Sequence, residues 1–207
     1  MITKKEASLG STMARVFVVL IIVSFGIQAF LIPTDQVGYN ETWGPALSAI
    51  NFVLSFAFLF VLYIGTKLFG GENDPYVNVT GTMAFVAHVV NTMPSFGAIG
   101  QENALQETFL TTNQVIDATS AATSAWGLFI GIFGLAVLRS TKSNLIPSYG
   151  IYAGYGGATL IMVSTLGWAY GLLPQIAGLI TLILGGLILY PLFIFALGKA
   201  MENAGAN

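Results

Sequence analysis

Along the chain, long apolar runs alternate with short polar breaks. Six runs stand out, at about 13–33, 45–69, 77–99, 115–138, 148–170 and 175–198. Each is near or above the roughly 20 residues that an α-helix needs to cross about 30 Å of hydrocarbon. The third and fourth are the least apolar. The pattern predicts an all-α polytopic membrane protein, a bundle of six transmembrane helices forming one domain over 1–207.

Charge decides how the runs are oriented. Lys4, Lys5 and Arg15 precede or open the first run, and Lys67 ends the second. Arg139 and Lys142 lie between the fourth and fifth, and Lys199 follows the sixth. The three opposite loops, 34–44, 100–114 and 171–174, hold no Lys or Arg but carry Asp35, Glu41, Glu102 and Glu107. All seven basic residues thus fall on one side. The positive-inside rule makes that side cytoplasmic, with both termini inside. Removing any one run would scramble the segregation. Tyr39, Trp43, Trp168 and Tyr170 are expected at the outer boundary, and Tyr63, Tyr76 and Tyr149 at the inner one, where amphipathic rings settle. The first run exceeds the length of a signal-peptide core and no A-x-A site follows, so it reads as an uncleaved helix. The expected location is a prokaryotic cytoplasmic membrane, crossed several times.

Composition agrees. Hydrophobic residues make up 55% of the chain and charged ones 8%, against about 25% charged in a soluble domain. A surface so poor in charge would not keep a globule in solution. The net charge of −2 offers no basic patch for nucleic acid. There is no cysteine, which removes thiolate chemistry and Cys-held metals. One histidine cannot supply both axial ligands of a bis-histidine haem. Histidines and carboxylates are too sparse for a zinc site, and the lysines lie at run ends or in the tails, away from any Schiff-base position. HEXXH, GXSXG and P-loop patterns are absent. No catalytic residue, metal or cofactor is assigned, and the reading leans away from an enzyme.

Small residues set the expected packing. Gly127 and Gly131 follow at four-residue spacing in the fourth run, and Gly150, Gly154 and Gly157 line the start of the fifth. Such stripes let helix backbones approach closely in lipid. Pro94 and Pro191 fall within runs and should free the carbonyls of Val90 and Leu187.

The polar residues inside the runs are the candidate chemistry. "AFVAHVVNTMPSFG" (84–97) holds the only histidine, His88, with Asn91 three residues on and so on the same helix face. Orientation places His88 near the midplane, Asn91 nearer the outside and Asp117 near the outer boundary, with Ser120 and Thr123 stepping inward. Asn51 falls in the outer half of the second run. Polar groups facing lipid are costly, so these should point inward. Two readings stay open. One is a cavity open to the outside, with His88 at its floor and Asp117 at its rim. The other is interhelical hydrogen bonding of His88 or Asn91 with Asn51, Ser120 or Thr123, and capping by Asp117.

From Arg139 onward the chain has a basic loop ending in "LIP" (145–147), the helix start "SYGIYAGYGG" (148–157), a turn "GLLPQ" (171–175) and a last apolar helix. This third of the chain resembles uncharacterised six-helix prokaryotic integral membrane families. The resemblance implies the six-helix bundle and no activity.

The expected function is a non-catalytic subunit or scaffold, packing against membrane lipids and a membrane-protein partner or further copies of itself. The alternative is a small-molecule, lipid or proton-coupled binding or transport protein, using an outward-facing cavity around His88, Asn91 and Asp117.

Overall fold

The described residues fold into six long helices, are 90% helical and include no strand. The structure is a computed structural model that describes residues 2–31, 43–71, 74–98, 112–170 and 172–206, and at 44–45, 93–98, 112–124, 168–170, 175 and 206 it describes the backbone alone. The helices are α1 (Lys4–Phe30), α2 (Gly44–Phe69), α3 (Pro75–Ala98), α4 (Thr112–Arg139), α5 (Ser148–Tyr170) and α6. The last runs in three consecutive pieces: Gln175–Leu182, a π-helical stretch Ile183–Leu189, and Tyr190–Ala206. Three stretches, Lys4–Phe30, Ala46–Phe69 and Ile176–Gly205, are long and apolar enough to cross a membrane, and Ala125–Arg139 is a shorter apolar helix. These mark the chain as a membrane protein.

Each helix packs on its neighbours in sequence, and α6 returns to close on α1. The result is a ring of six helices, with α2 and α6 also touching across it. Local signals fix the ends nearest the chain termini. A capping box starts α1: Thr3 Oγ1 accepts from the Glu6 N–H at 3.2 Å, and Glu6 Oε2 accepts from the Thr3 N–H at 2.7 Å. The same Glu6 takes a 2.6 Å ion pair from Lys67, which ties the start of α1 to the end of α2. Arg15 and Lys199 both reach Glu202, at 2.8 and 3.1 Å. Between α2 and α3 the chain turns through Gly71, at φ +53°, a conformation that a Cβ would disfavour. Asn78 Nδ2 donates to the Gly71 carbonyl at 2.8 Å, and Asp74 Oδ1 caps α3 through the Val77 N–H at 3.1 Å.

Lys142, in the loop between α4 and α5, donates its ammonium to the Leu68 carbonyl at 2.7 Å. A cation there answers the negative end of the α2 dipole. Lys142→Ala should therefore lower stability by about 1 kcal/mol, read as a small drop in Tm in mild detergent. An unchanged Tm would mean that water serves the carbonyl equally well.

Small residues bring the helices together. On α4, Gly127, Gly131 and Gly134 face Thr165, Met162 and Ala158 of α5. On α5, Gly150 faces Ala196, Gly154 faces Phe193 and Leu138, and Gly157 faces the backbone of Leu189 and Tyr190. The α5 stripe therefore serves α6 more than α4. A further small-residue contact, absent from the sequence reading, closes the ring: Ala7 and Ala14 on α1 meet Gly205 and Gly198 on α6.

The π-helical stretch has a local cause. Pro191 lacks an N–H, and its ring would crowd the Leu187 carbonyl in a regular α-turn. The backbone widens just ahead of it, and the Tyr190 N–H bonds to the Gly185 carbonyl five residues back. The widened turn carries Gly185 against Leu160 and Ile161 of α5.

Among the described residues, the buried apolar core gathers in the half of the ring nearest the termini. Phe58, Leu62 and Ile64 of α2, Ile130 and Phe133 of α4, and Phe193, Ile194 and Leu197 of α6 are almost fully buried. Exposed apolar side chains such as Val19, Ile22, Phe30, Ile176 and Leu179 occupy the rest of the perimeter.

Candidate functional site

Where the aliphatic core ends, polar side chains begin to pair between helices. Ser24 Oγ of α1 donates to Asn51 Oδ1 of α2 at 2.9 Å, and Gln28 Nε2 donates to Ser24 Oγ at 3.3 Å. One turn along α2, the Ser55 carbonyl accepts from His88 Nε2 of α3 at 3.1 Å. Asn51 and Ser55 are four residues apart and so share a face. That face receives α1 through one residue and α3 through the other. Thr92 Oγ1 turns back to its own helix, to the carbonyls of His88 and Val89 at 2.9 and 3.1 Å. Ser164 of α5 does similar work at the α5–α6 contact, donating to the Gly178 carbonyl at 3.2 Å.

His88 is the centre of this layer, at 2% exposure. Its ring stands edge-on to Phe58, with centroids 4.9 Å apart and planes at 82°. It also neighbours Trp126 of α4, at 5.8 Å and 36°. Phe58 in turn stacks on Phe17 of α1 at 4.8 Å and meets Tyr190 of α6 edge-on at 6.4 Å. Tyr190 donates its hydroxyl to the Ile130 carbonyl at 3.0 Å. An aromatic cluster thus joins five of the six helices around one imidazole. Two of its polar atoms, His88 Nδ1 and Trp126 Nε1, are fully buried and have no hydrogen-bond partner among the described residues.

The residues singled out from sequence separate as follows. His88 and Asn51 lie in the polar layer but bond to Ser55 and Ser24 and not to one another. Asn91 is half-buried on α3. Asp117, Ser120 and Thr123 belong to the α4 helix, but their side chains lie outside the described residues, as do those of Pro94, Trp168 and Tyr170. The loops 34–42 and 100–111, with Tyr39, lie outside them too. Tyr152 and Tyr155 of α5 stand 79% and 45% exposed on the perimeter.

Sequence reading missed Ser24, Phe58 and Trp126, and the part that Ser55 plays. Ser24 and Trp126 had a findable signal, a hydroxyl and an indole N–H within apolar runs, each in need of a partner. Ser55 acts through its carbonyl, which every residue has, so nothing in the sequence marks it. Among the described residues, no group of three or more His, Asp or Glu comes together.

Comparison of the chain with protein-family models, curated proteins and solved structures gives no match in any of the three. Function must be argued from the geometry.

Proposed function

We propose that the chain is a six-span protein of a cytoplasmic membrane, both termini cytoplasmic, acting as a non-catalytic subunit or scaffold that packs against partner membrane proteins or lipids. One observation carries this reading. The single imidazole in the bundle uses Nε2 to hold α3 to the α2 backbone, inside an aromatic shell at 2% exposure. A group so placed fixes helix register and does not line an open vestibule. The exposed apolar belt supplies surface for lipid or neighbouring helices. The basic residues support the orientation, since all seven precede, end or follow runs on one side.

Topology has a direct test, because the chain lacks cysteine. A single cysteine at Thr141 should react with a membrane-impermeant maleimide only after the cells are permeabilised. One at Leu105 should react in intact cells. The reverse pattern would invert the bundle, and labelling of both in intact cells would break the six-span reading.

The functional test is isolation in mild detergent. The subunit reading expects a membrane protein at fixed stoichiometry, or a defined homo-oligomer, and expects Asp117→Asn to leave that assembly intact with no loss of solute uptake, while His88→Phe, which removes the α3–α2 bond, weakens the bundle without releasing a ligand. A monomer carrying a bound small molecule that His88→Phe releases would replace it with the alternative, a binding or transport protein.

A further inference from the structure

His88 and Trp126 leave a complementary pair of atoms in the interior. The Ser55 carbonyl can only accept, so the hydrogen of the neutral imidazole sits on Nε2. Nδ1 is then a bare acceptor. The Trp126 indole can only donate, through Nε1–H. Both nitrogens are sealed from solvent and neither has a hydrogen-bond partner among the described residues. A buried donor or acceptor left unpaired costs about as much as a lost hydrogen bond, so native interiors rarely keep one, and rarer still two on neighbouring rings.

We propose that these two side chains form a binding site for one small hydroxylic molecule, water being its occupant, which accepts from Trp126 Nε1–H and donates to His88 Nδ1. The pairing selects the chemistry. A hydroxyl is the smallest group that does both at once. A carbonyl or an anion could answer only the indole, and a cation only the imidazole. The ring centroids stand 5.8 Å apart at a 36° tilt, so the two rings that carry the unpaired nitrogens are immediate neighbours. Phe58 stands edge-on to the imidazole. A buried water with polar partners is part of a fold and not a defect in it. Here it links α3 to α4, as the Nε2 bond links α3 to α2. The inference is independent of the subunit reading, which needs no internal ligand.

Magic-angle-spinning NMR of the full-length, ¹⁵N-labelled protein in synthetic phosphatidylcholine bilayers tests it, with water as the probe. The expected spectrum has polarisation passing from water protons to Trp126 Nε1–H, and His88 Nδ1 shifted upfield as a nitrogen that accepts a hydrogen bond. Trp126→Phe should move Nδ1 toward its unbonded position and leave the Nε2–H signal in place. The wild-type spectrum decides alone should that variant fail to accumulate. A direct coupling between Trp126 Nε1–H and His88 Nδ1, a proton on both imidazole nitrogens, or two unbonded nitrogens with no transfer from water would each overturn the proposal. If the bonded signals vanish on reconstitution in synthetic lipid and return with a native lipid extract, the hydroxyl belongs to a cellular molecule and water as occupant is overturned.

Discussion

Gly157→Ala should prevent α5 from docking on α6 and leave little monodisperse protein in detergent. A Cβ at this position would lie 2.7 Å from the Tyr190 nitrogen and 3.0 Å from the Leu189 carbonyl carbon. Both are backbone atoms of the neighbouring helix, and they cannot rotate out of the way as a side chain can. Relief would require α6 to move outward where its π-helical stretch ends, and Gly185 makes a second close approach to α5 at Leu160 and Ile161. Overpacking of this kind costs about 1–3 kcal/mol and more where nothing can yield. Gly26→Ala is the matched control. Nothing lies within 4 Å of its added Cβ, so the better helix propensity of alanine should leave it neutral or up to about 1 kcal/mol more stable. Unfolding of the two variants by SDS titration from mild detergent makes the comparison. Equal midpoints would mean that α5 and α6 do not approach at Gly157 as described.

Helix extent was legible because it depends on local apolar runs. The runs at 45–69 and 77–99 correspond within about two residues to Gly44–Phe69 and Pro75–Ala98. The chain ends differ for a physical reason. The helix α1 begins at Lys4, well before the apolar run at 13, and α6 continues to Ala206. These extensions are polar, and they hold together through Glu6, Arg15, Lys67 and Glu202. Apolar periodicity says nothing about a helix stabilised by a capping box and cross-chain ion pairs. Pro191 was recognised as a break, yet its consequence is a widened turn ahead of it. Only the contact of Gly157 and Gly185 with the facing backbones gives that turn its place.

The candidate site was legible as a layer but not as a set of pairs. Depth along each run placed Asn51, His88 and Asn91 in one zone. Which atoms meet depends on helix rotation, and rotation is set by packing at Phe17, Phe58 and Tyr190 more than by the polar residues themselves. Asn51 is turned to Ser24 of α1, so His88 finds a backbone carbonyl on the next turn. A pairing between side chains can be guessed from composition. A pairing with a main-chain oxygen cannot.

Phe58→Ala should be the most destabilising substitution within the aromatic cluster. The side chain is fully buried and touches the rings of Phe17, His88 and Tyr190, on α1, α3 and α6. In a soluble core, removing such a ring costs about 3–5 kcal/mol, from lost transfer free energy together with the cavity left behind. In a bilayer the separated helices already lie in hydrocarbon, so the transfer part largely cancels. The cavity part stays: at about 24 cal/mol per Å³, a void of ~100 Å³ costs about 2 kcal/mol. Losing the support of the His88 ring should add to this, since its bond to Ser55 depends on α2 and α3 staying in register. Phe58→Leu should cost less than half as much, because most of the volume is kept. The expected order in SDS or thermal unfolding is wild type, Phe58→Leu, then Phe58→Ala, with the His88 Nε2–H signal broadened in the last. A Phe58→Ala protein as stable as wild type would mean that the Phe58 ring does not fill the centre of the bundle and that the polar layer is held by something other than aromatic packing.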